Sequence, residues 1–216
     1  MPRIPEGYLK LTCHRTTADA VRNLSANPLP SDDAPVIPLD ISSAVNSTVI
    51  QVRAGRIRSG NLTFEVPAGR VVAASGEEDL PVGQDVSSLI FLHACTRPAR
   101  NAQAYTGTWN YADTATLIGW YEAEYEDGFV ENIPVRYGWN ILEAGWNGNR
   151  PERSVAYETE MVDGGPGTTL FAYEWINPRF GKPVKEVRLH QAVTDNPVTL
   201  AELKIVKKRV APEPKP

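Results

Sequence analysis

Residues that commonly announce a chemistry are scarce in this chain. Its 216 residues include only three histidines (His14, His93, His190) and two cysteines (Cys13, Cys95). The three histidines lie far apart in sequence, so a zinc site would need long-range convergence. There is no glycine-rich phosphate loop, Gly-x-Ser-x-Gly elbow, His-Glu-x-x-His helix, Cys-x-x-Cys pair or calcium-loop pattern. Neither a cofactor nor a metal ligand set is therefore expected. Positive charge is also short, 22 Lys and Arg against 26 Asp and Glu for a net charge of -4. Neutralising phosphates needs a clustered cationic excess, so nucleic acid is not an expected partner. The basic run at 204–209 reads as a solvated strand end. No apolar run approaches a membrane span; Leu89-Ile90-Phe91-Leu92 is strand-sized, and no membrane partner is expected. The first residues lack the apolar core of a signal peptide. Localisation stays open, with an extracellular or periplasmic site expected if the chain belongs to a secreted hydrolase.

Turn residues, by contrast, are abundant. Eighteen prolines and 16 glycines punctuate the chain, and no long helical periodicity runs between them. This pattern predicts an all-β fold, a jelly-roll-like sandwich of two antiparallel sheets. Residues 1–37 form an N-terminal extension. It holds a short helix at 16–24, where Ala18, Val21 and Leu24 keep helical spacing, and a Pro/Asp-rich loop from residue 25. The sandwich is expected over 38–208, followed by a disordered Pro-rich tail at 209–216. Strands are predicted at 49–53, 62–66, 70–74, 88–95, 168–177, 184–193 and 198–206. The stretch 88–95 is apolar on both faces, which marks a central strand covered on both sides. Cys95 then reads as a small core residue, with a disulfide to Cys13 as the alternative.

One hairpin, 117–135, can be placed in register. A two-residue loop at Asp127-Gly128 would set Glu124 against Glu131, a destabilising like-charge pair. A three-residue loop of Glu126, Asp127 and Gly128, with Gly128 left-handed, pairs Tyr125 with Phe129 and Tyr121 with Ile133. It gathers Tyr121, Ala123, Tyr125, Phe129, Ile133 and Val135 on a buried face and turns Glu122, Glu124 and Glu126 to water. Apolar alternation therefore selects the three-residue loop.

Three groups of side chains could carry chemistry. His93 shares a strand face with Phe91 and Cys95, where a histidine ordinarily donates to a backbone carbonyl. Glu131, Glu143 and Glu174 could each join a glycosidase pair, which needs two carboxyl groups roughly 5 to 10 Å apart. Structural or solvated roles are commoner for all three. The aromatics give the strongest positive signal. Trp109 and Tyr111 lie in one polar loop; Tyr137, Trp139 and Trp146 lie in another, among Asn140, Asn147, Asn149 and Arg150. A sugar offers an apolar C–H face to an indole and a rim of hydroxyls to amide and guanidinium groups. Trp175, within a strand, reads as a core anchor.

From about Pro38 onward the chain resembles a galactose-binding-like accessory domain of bacterial glycoside hydrolases. The resemblance is carried by Pro38-Leu39-Asp40-Ile41 with Asn46, by Leu80-Pro81-Val82 and by Phe91-Leu92-His93-Ala94. It continues through Tyr125-Glu126-Asp127-Gly128, Ile133-Pro134, Tyr137-Gly138-Trp139-Asn140 and Tyr173-Glu174-Trp175 with Asn177-Pro178, then Lys182-Pro183-Val184-Lys185. It implies a jelly-roll sandwich in a carbohydrate context. The expected function is a non-catalytic module that binds a glycan or braces an attached catalytic domain, with polysaccharide or oligosaccharide as partner. Trp109, Tyr111, Trp139, Asn140, Trp146, Asn147 and Arg150 are the candidate contacts, and no catalytic residue is assigned. Two alternatives stay open: a small β-sandwich polysaccharide hydrolase or lyase using an acidic pair, and a purely structural partner-packing domain.

Overall fold

Period-two alternation of apolar side chains builds an antiparallel sandwich. The computed structural model describes residues 35–59, 62–66, 69–74, 78–99, 116–146, 159–179 and 181–207. The larger sheet orders β1 (Val36–Pro38), β12 (Val198–Lys207), β6 (Val86–Cys95), β10 (Thr168–Ile176) and β9 (Thr159–Gly165), with β4 (Val72–Ala73) also on β12. The smaller sheet orders β5 (Asp79–Gln84), β11 (Val184–Gln191), β7 (Leu117–Tyr125) and β8 (Val130–Arg136). A separate hairpin pairs β2 (Gly55–Ser59) with β3 (Leu62–Val66). A 3-10 turn spans Ser42–Ala44.

The core lies between the two large sheets. Phe91 of β6 stacks on Tyr121 of β7 with ring centroids 4.0 Å apart, so the odd-numbered residues of β6 face the smaller sheet. Phe171, Tyr173 and Trp175 of β10 share that inner face and are buried. Ile90 and Leu92, on the other face of β6, are fully buried too, as expected of a central strand.

The β2–β3 hairpin is fastened to the outer face of the larger sheet. A carboxylate oxygen of Glu202 on β12 accepts the Glu65 backbone N–H. Its other oxygen pairs with Lys204 at 2.7 Å, and the Lys204 ammonium sits 5.4 Å from the centre of the Phe64 ring. Ser59 donates to Glu160 of β9 at 2.5 Å.

The β7–β8 hairpin takes the three-residue loop. Tyr121 pairs with Ile133, and the Tyr125 N–H donates to the Phe129 carbonyl at 2.8 Å. Gly128 is left-handed at φ 81. Phe129 is a correction: it is 45% exposed rather than buried, although Tyr125 in the same row is fully buried and meets its ring edge-on. The Arg179 guanidinium covers its ring instead, 4.2 Å from the centre, while forking onto Asp127 at 2.9 and 3.0 Å. Glu122 and Glu124 are half-buried rather than fully solvated, for a reason given below.

A second correction concerns 49–53, which forms no ladder. Ile50 and Val52 are buried, but this stretch tucks beside the β9–β10 turn through single bonds. Arg53 N–H donates to Gly164 O at 2.7 Å, and Thr168 Oγ1 donates to Gln51 O at 2.6 Å. Among the described residues the first strand is β1, Val36–Pro38. Cys95 is a free, buried thiol. The expected helix, the loop at 25–34, Cys13 and the tail from 208 lie outside the described residues. Prolines stand in both edge strands of the smaller sheet, Pro81 in β5 and Pro134 in β8.

Candidate ligand-binding face

The strongly perturbed groups of the core have structural partners. His93 donates from Nε2 to the Asn140 carbonyl at 2.8 Å and accepts at Nδ1 from the Tyr121 hydroxyl at 2.9 Å. Burial outweighs the carbonyl contact and pulls its pKa down to about 4, so the ring is neutral. Burial likewise raises the Tyr121 hydroxyl far above its usual range. Cys95 is pushed up to about 12 by burial and by the nearby Glu143 charge, which makes it a poor nucleophile.

Asn140 belongs to this scaffold. It is fully buried; its Oδ1 accepts from Arg136 N–H at 2.8 Å and its Nδ2 donates to Pro134 O at 2.9 Å. Both ends of the amide thus brace the turn that carries Trp139. Trp139 and Trp146 are half-buried in the segment 137–146. That segment is tied to the end of β6 by Cys95 N–H to Leu142 O at 3.0 Å and Ala144 N–H to Cys95 O at 2.8 Å. Trp146 packs against the core, and its carbonyl accepts from Thr169 Oγ1 at 2.6 Å. Trp109, Tyr111, Asn147 and Arg150 lie outside the described residues.

The three carboxylates considered for catalysis go to different places. Glu174 faces outward from the larger sheet and accepts from Ser88 Oγ at 2.5 Å. Glu143 sits in the end segment, accepting from the Tyr137 hydroxyl at 2.5 Å. Glu131 lies on β8 directly opposite Ala123.

The outer face of the smaller sheet holds a different constellation. Pro134, Trp120 and His190 are register neighbours on β8, β7 and β11, forming one row across three strands. The Trp120 and His190 rings stack at 4.9 Å with 12° between planes. In the next row Asn132, Glu122, Arg188 and Asp79 stand side by side. Arg188 is the hub, donating to Glu122 at 3.0 Å, pairing with Glu124 at 3.2 Å, and also bonding Asp79 and Glu186. Lys185 donates to Glu124 at 2.9 Å, and this contact above all lowers the pKa of Glu124. These bonds hold Glu122 and Glu124 against the sheet. His190 Nε2 lies 3.5 Å from Glu122 Oε2.

Trp120 was absent from the sequence-derived candidates, although the hairpin register already contained it. If Tyr121, Ala123 and Tyr125 point inward, Trp120 points outward with Glu122 and Glu124. An indole on the polar face of an amphipathic strand was the available signal.

No family model, curated protein or solved structure matches the chain. Among the described residues, no group of His, Cys, Asp and Glu could hold a metal ion.

Proposed function

We propose that this chain is a non-catalytic carbohydrate-associated module that binds a neutral glycan, in the manner implied by its resemblance to accessory domains of glycoside hydrolases. The observation that carries the reading is the Pro134–Trp120–His190 row, bordered by Asn132, Glu122 and Arg188 on one strand-built face. The row supplies an apolar, aromatic strip for the C–H face of a sugar; the polar row beside it supplies donors and acceptors for hydroxyls. Strands hold such groups more rigidly than loops, which limits the ordering cost of binding. Asp79, Glu122, Glu124 and Glu186 outnumber Arg188 and Lys185 on this face, which disfavours anionic glycans. Binding is weak, because an open face exchanges water hydrogen bonds for protein ones at small net gain.

Affinity electrophoresis against a panel of neutral polysaccharides tests this. Trp120→Ala should abolish retardation on the responsive polymer while the melting temperature stays close to wild type. Trp139→Ala and Trp146→Ala measure any contribution from the sandwich end. Absence of retardation on the whole panel would overturn the reading. So would turnover of a polysaccharide that a single Glu→Gln change at Glu131, Glu143 or Glu174 abolishes, which would establish the enzyme alternative.

A further inference from the structure

A polymer can cross the outer face of the smaller sheet in two directions, and the residues met on each path decide between them. Along a strand, side chains on one face follow every second residue, about 7 Å apart. Such a path runs from Trp120 to Glu122 and Glu124 on β7, or from His190 to Arg188 and Glu186 on β11. On β8 it runs from Pro134 to Asn132 and Val130. Each of these paths meets one ring and then leaves it. Across the strands the path stays on rings, because Pro134, Trp120 and His190 are register neighbours. We infer that the bound glycan lies across the strands, one sugar unit to each of β8, β7 and β11, so that the face selects an extended chain of neutral units. Resting on the carbohydrate reading above, this arrangement adds the shape of the glycan to it.

Spacing supports the crossing path. Neighbouring strands stand about 4.8 Å apart. The Trp120 and His190 ring centres are 4.9 Å apart with 12° between planes, so the rings repeat at the strand pitch. One unit of an extended, equatorially linked glycan advances the chain by nearly the same step. Successive units can therefore meet successive strands. A chain that curls, as an α-1,4-linked glucan does, soon leaves the row.

The polar row runs parallel to the rings, two residues further along each strand, as Asn132, Glu122, Arg188 and Asp79. A chain lying on the rings keeps one flank of hydroxyls over this row for its whole length. Asn132 is exposed and offers an amide donor and acceptor. Arg188 holds Glu122 at 3.0 Å and also bonds Asp79, so this row is set before a ligand arrives and little ordering cost remains. The polar row extends one strand beyond the rings, onto β5, so a fourth unit gains hydroxyl contacts without a ring.

Isothermal titration of the full chain with cello-, manno- and xylo-oligosaccharides of one to six units tests this, with malto-oligosaccharides of equal length as the curled series. In at least one extended series affinity should rise by about tenfold from one to three units, as further rings are engaged, and change little beyond four. Backbone amide shifts of the ¹⁵N-labelled chain with the trimer should fall together on β7, β8 and β11. Pro134→Ser and His190→Ala, at the two ends of the ring row, should each make affinity level off one unit earlier; circular dichroism checks that both variants fold. Affinity that does not rise with length in any extended series would overturn the inference. So would amide shifts confined to one strand, a malto series bound as tightly as the extended ones, or unchanged levelling in both variants. If polymer retention still depends on Trp120 in that case, the carbohydrate reading survives without it. If no oligosaccharide binds and no polymer is retained, both fall together.

Discussion

At His93 the core holds a neutral imidazole between a tyrosine hydroxyl and a backbone carbonyl, with its pKa depressed from 6.5 to about 4. The unfolded chain takes up this proton at higher pH than the folded one. Stability from this site is therefore complete above about pH 6.5 and falls as the pH drops toward 4, by on the order of 3 kcal/mol. Urea unfolding at a series of pH values should show this slope, and His93→Gln should flatten it; an unchanged slope would mean that other groups set the acid limit. Gly128 gives a second single-residue test. Its φ of 81 is a backbone demand alone, since a Cβ there would meet nothing within 4 Å. Gly128→Val should cost roughly 1 to 3 kcal/mol by thermal unfolding, entirely as strain. Both sites were legible in the sequence because each follows from a local rule, a histidine on an apolar strand face and a glycine closing a three-residue loop. Asn140 was misleading although its partners are local. Its neighbours read as a polar loop, yet its amide folds back onto Arg136 N–H and Pro134 O, four and six residues earlier.

At the scale of elements, the β2–β3 hairpin hangs on a buried charge pair. Removing one partner strands the other in the interior, so Lys204→Met should destabilise by about 3 to 5 kcal/mol. Adding Glu202→Gln should restore most of that loss, because a neutral amide oxygen still accepts the Glu65 N–H while no charge is left behind. Equal destabilisation by the single and double changes in chemical denaturation would show that packing, not charge, governs the attachment. The Lys204→Met defect should also shrink at low pH, since burial already raises the Glu202 pKa. Strands β3, β4, β6, β7, β8, β10, β11 and β12 were visible because alternation, a doubly apolar run or a preceding Pro-Ala-Gly turn marks them. Of the strands that escaped, β2 alternates with a single large apolar residue, Ile57, and the others lack the pattern. β1 has only three residues, β5 contains Pro81 and Gly83, and β9 ends in Gly164 and Gly165. Their strand character comes from a neighbour that completes the ladder.

For the whole molecule, β12 closes the architecture. It is buried at every residue but its last and pairs with β1, β4 and β6, elements far earlier in the chain. Ending the chain at Pro197 should therefore abolish cooperative unfolding rather than trim a terminus. A chain so shortened that kept a sharp melting transition would refute this. The ion pair of Arg97 with Asp195 was illegible for a related reason, since the two lie nearly a hundred positions apart and meet only once β6 and β12 are paired. Finally, the two prolines at the rims of the smaller sheet bear on behaviour in concentrated solution. Pro134 sits opposite Trp120, a position whose N–H would point away from β7, on the side where Asn140 already bonds its carbonyl. A second molecule arriving at that rim meets a missing donor where it would dock, so stacking of copies into a continuous ribbon halts there.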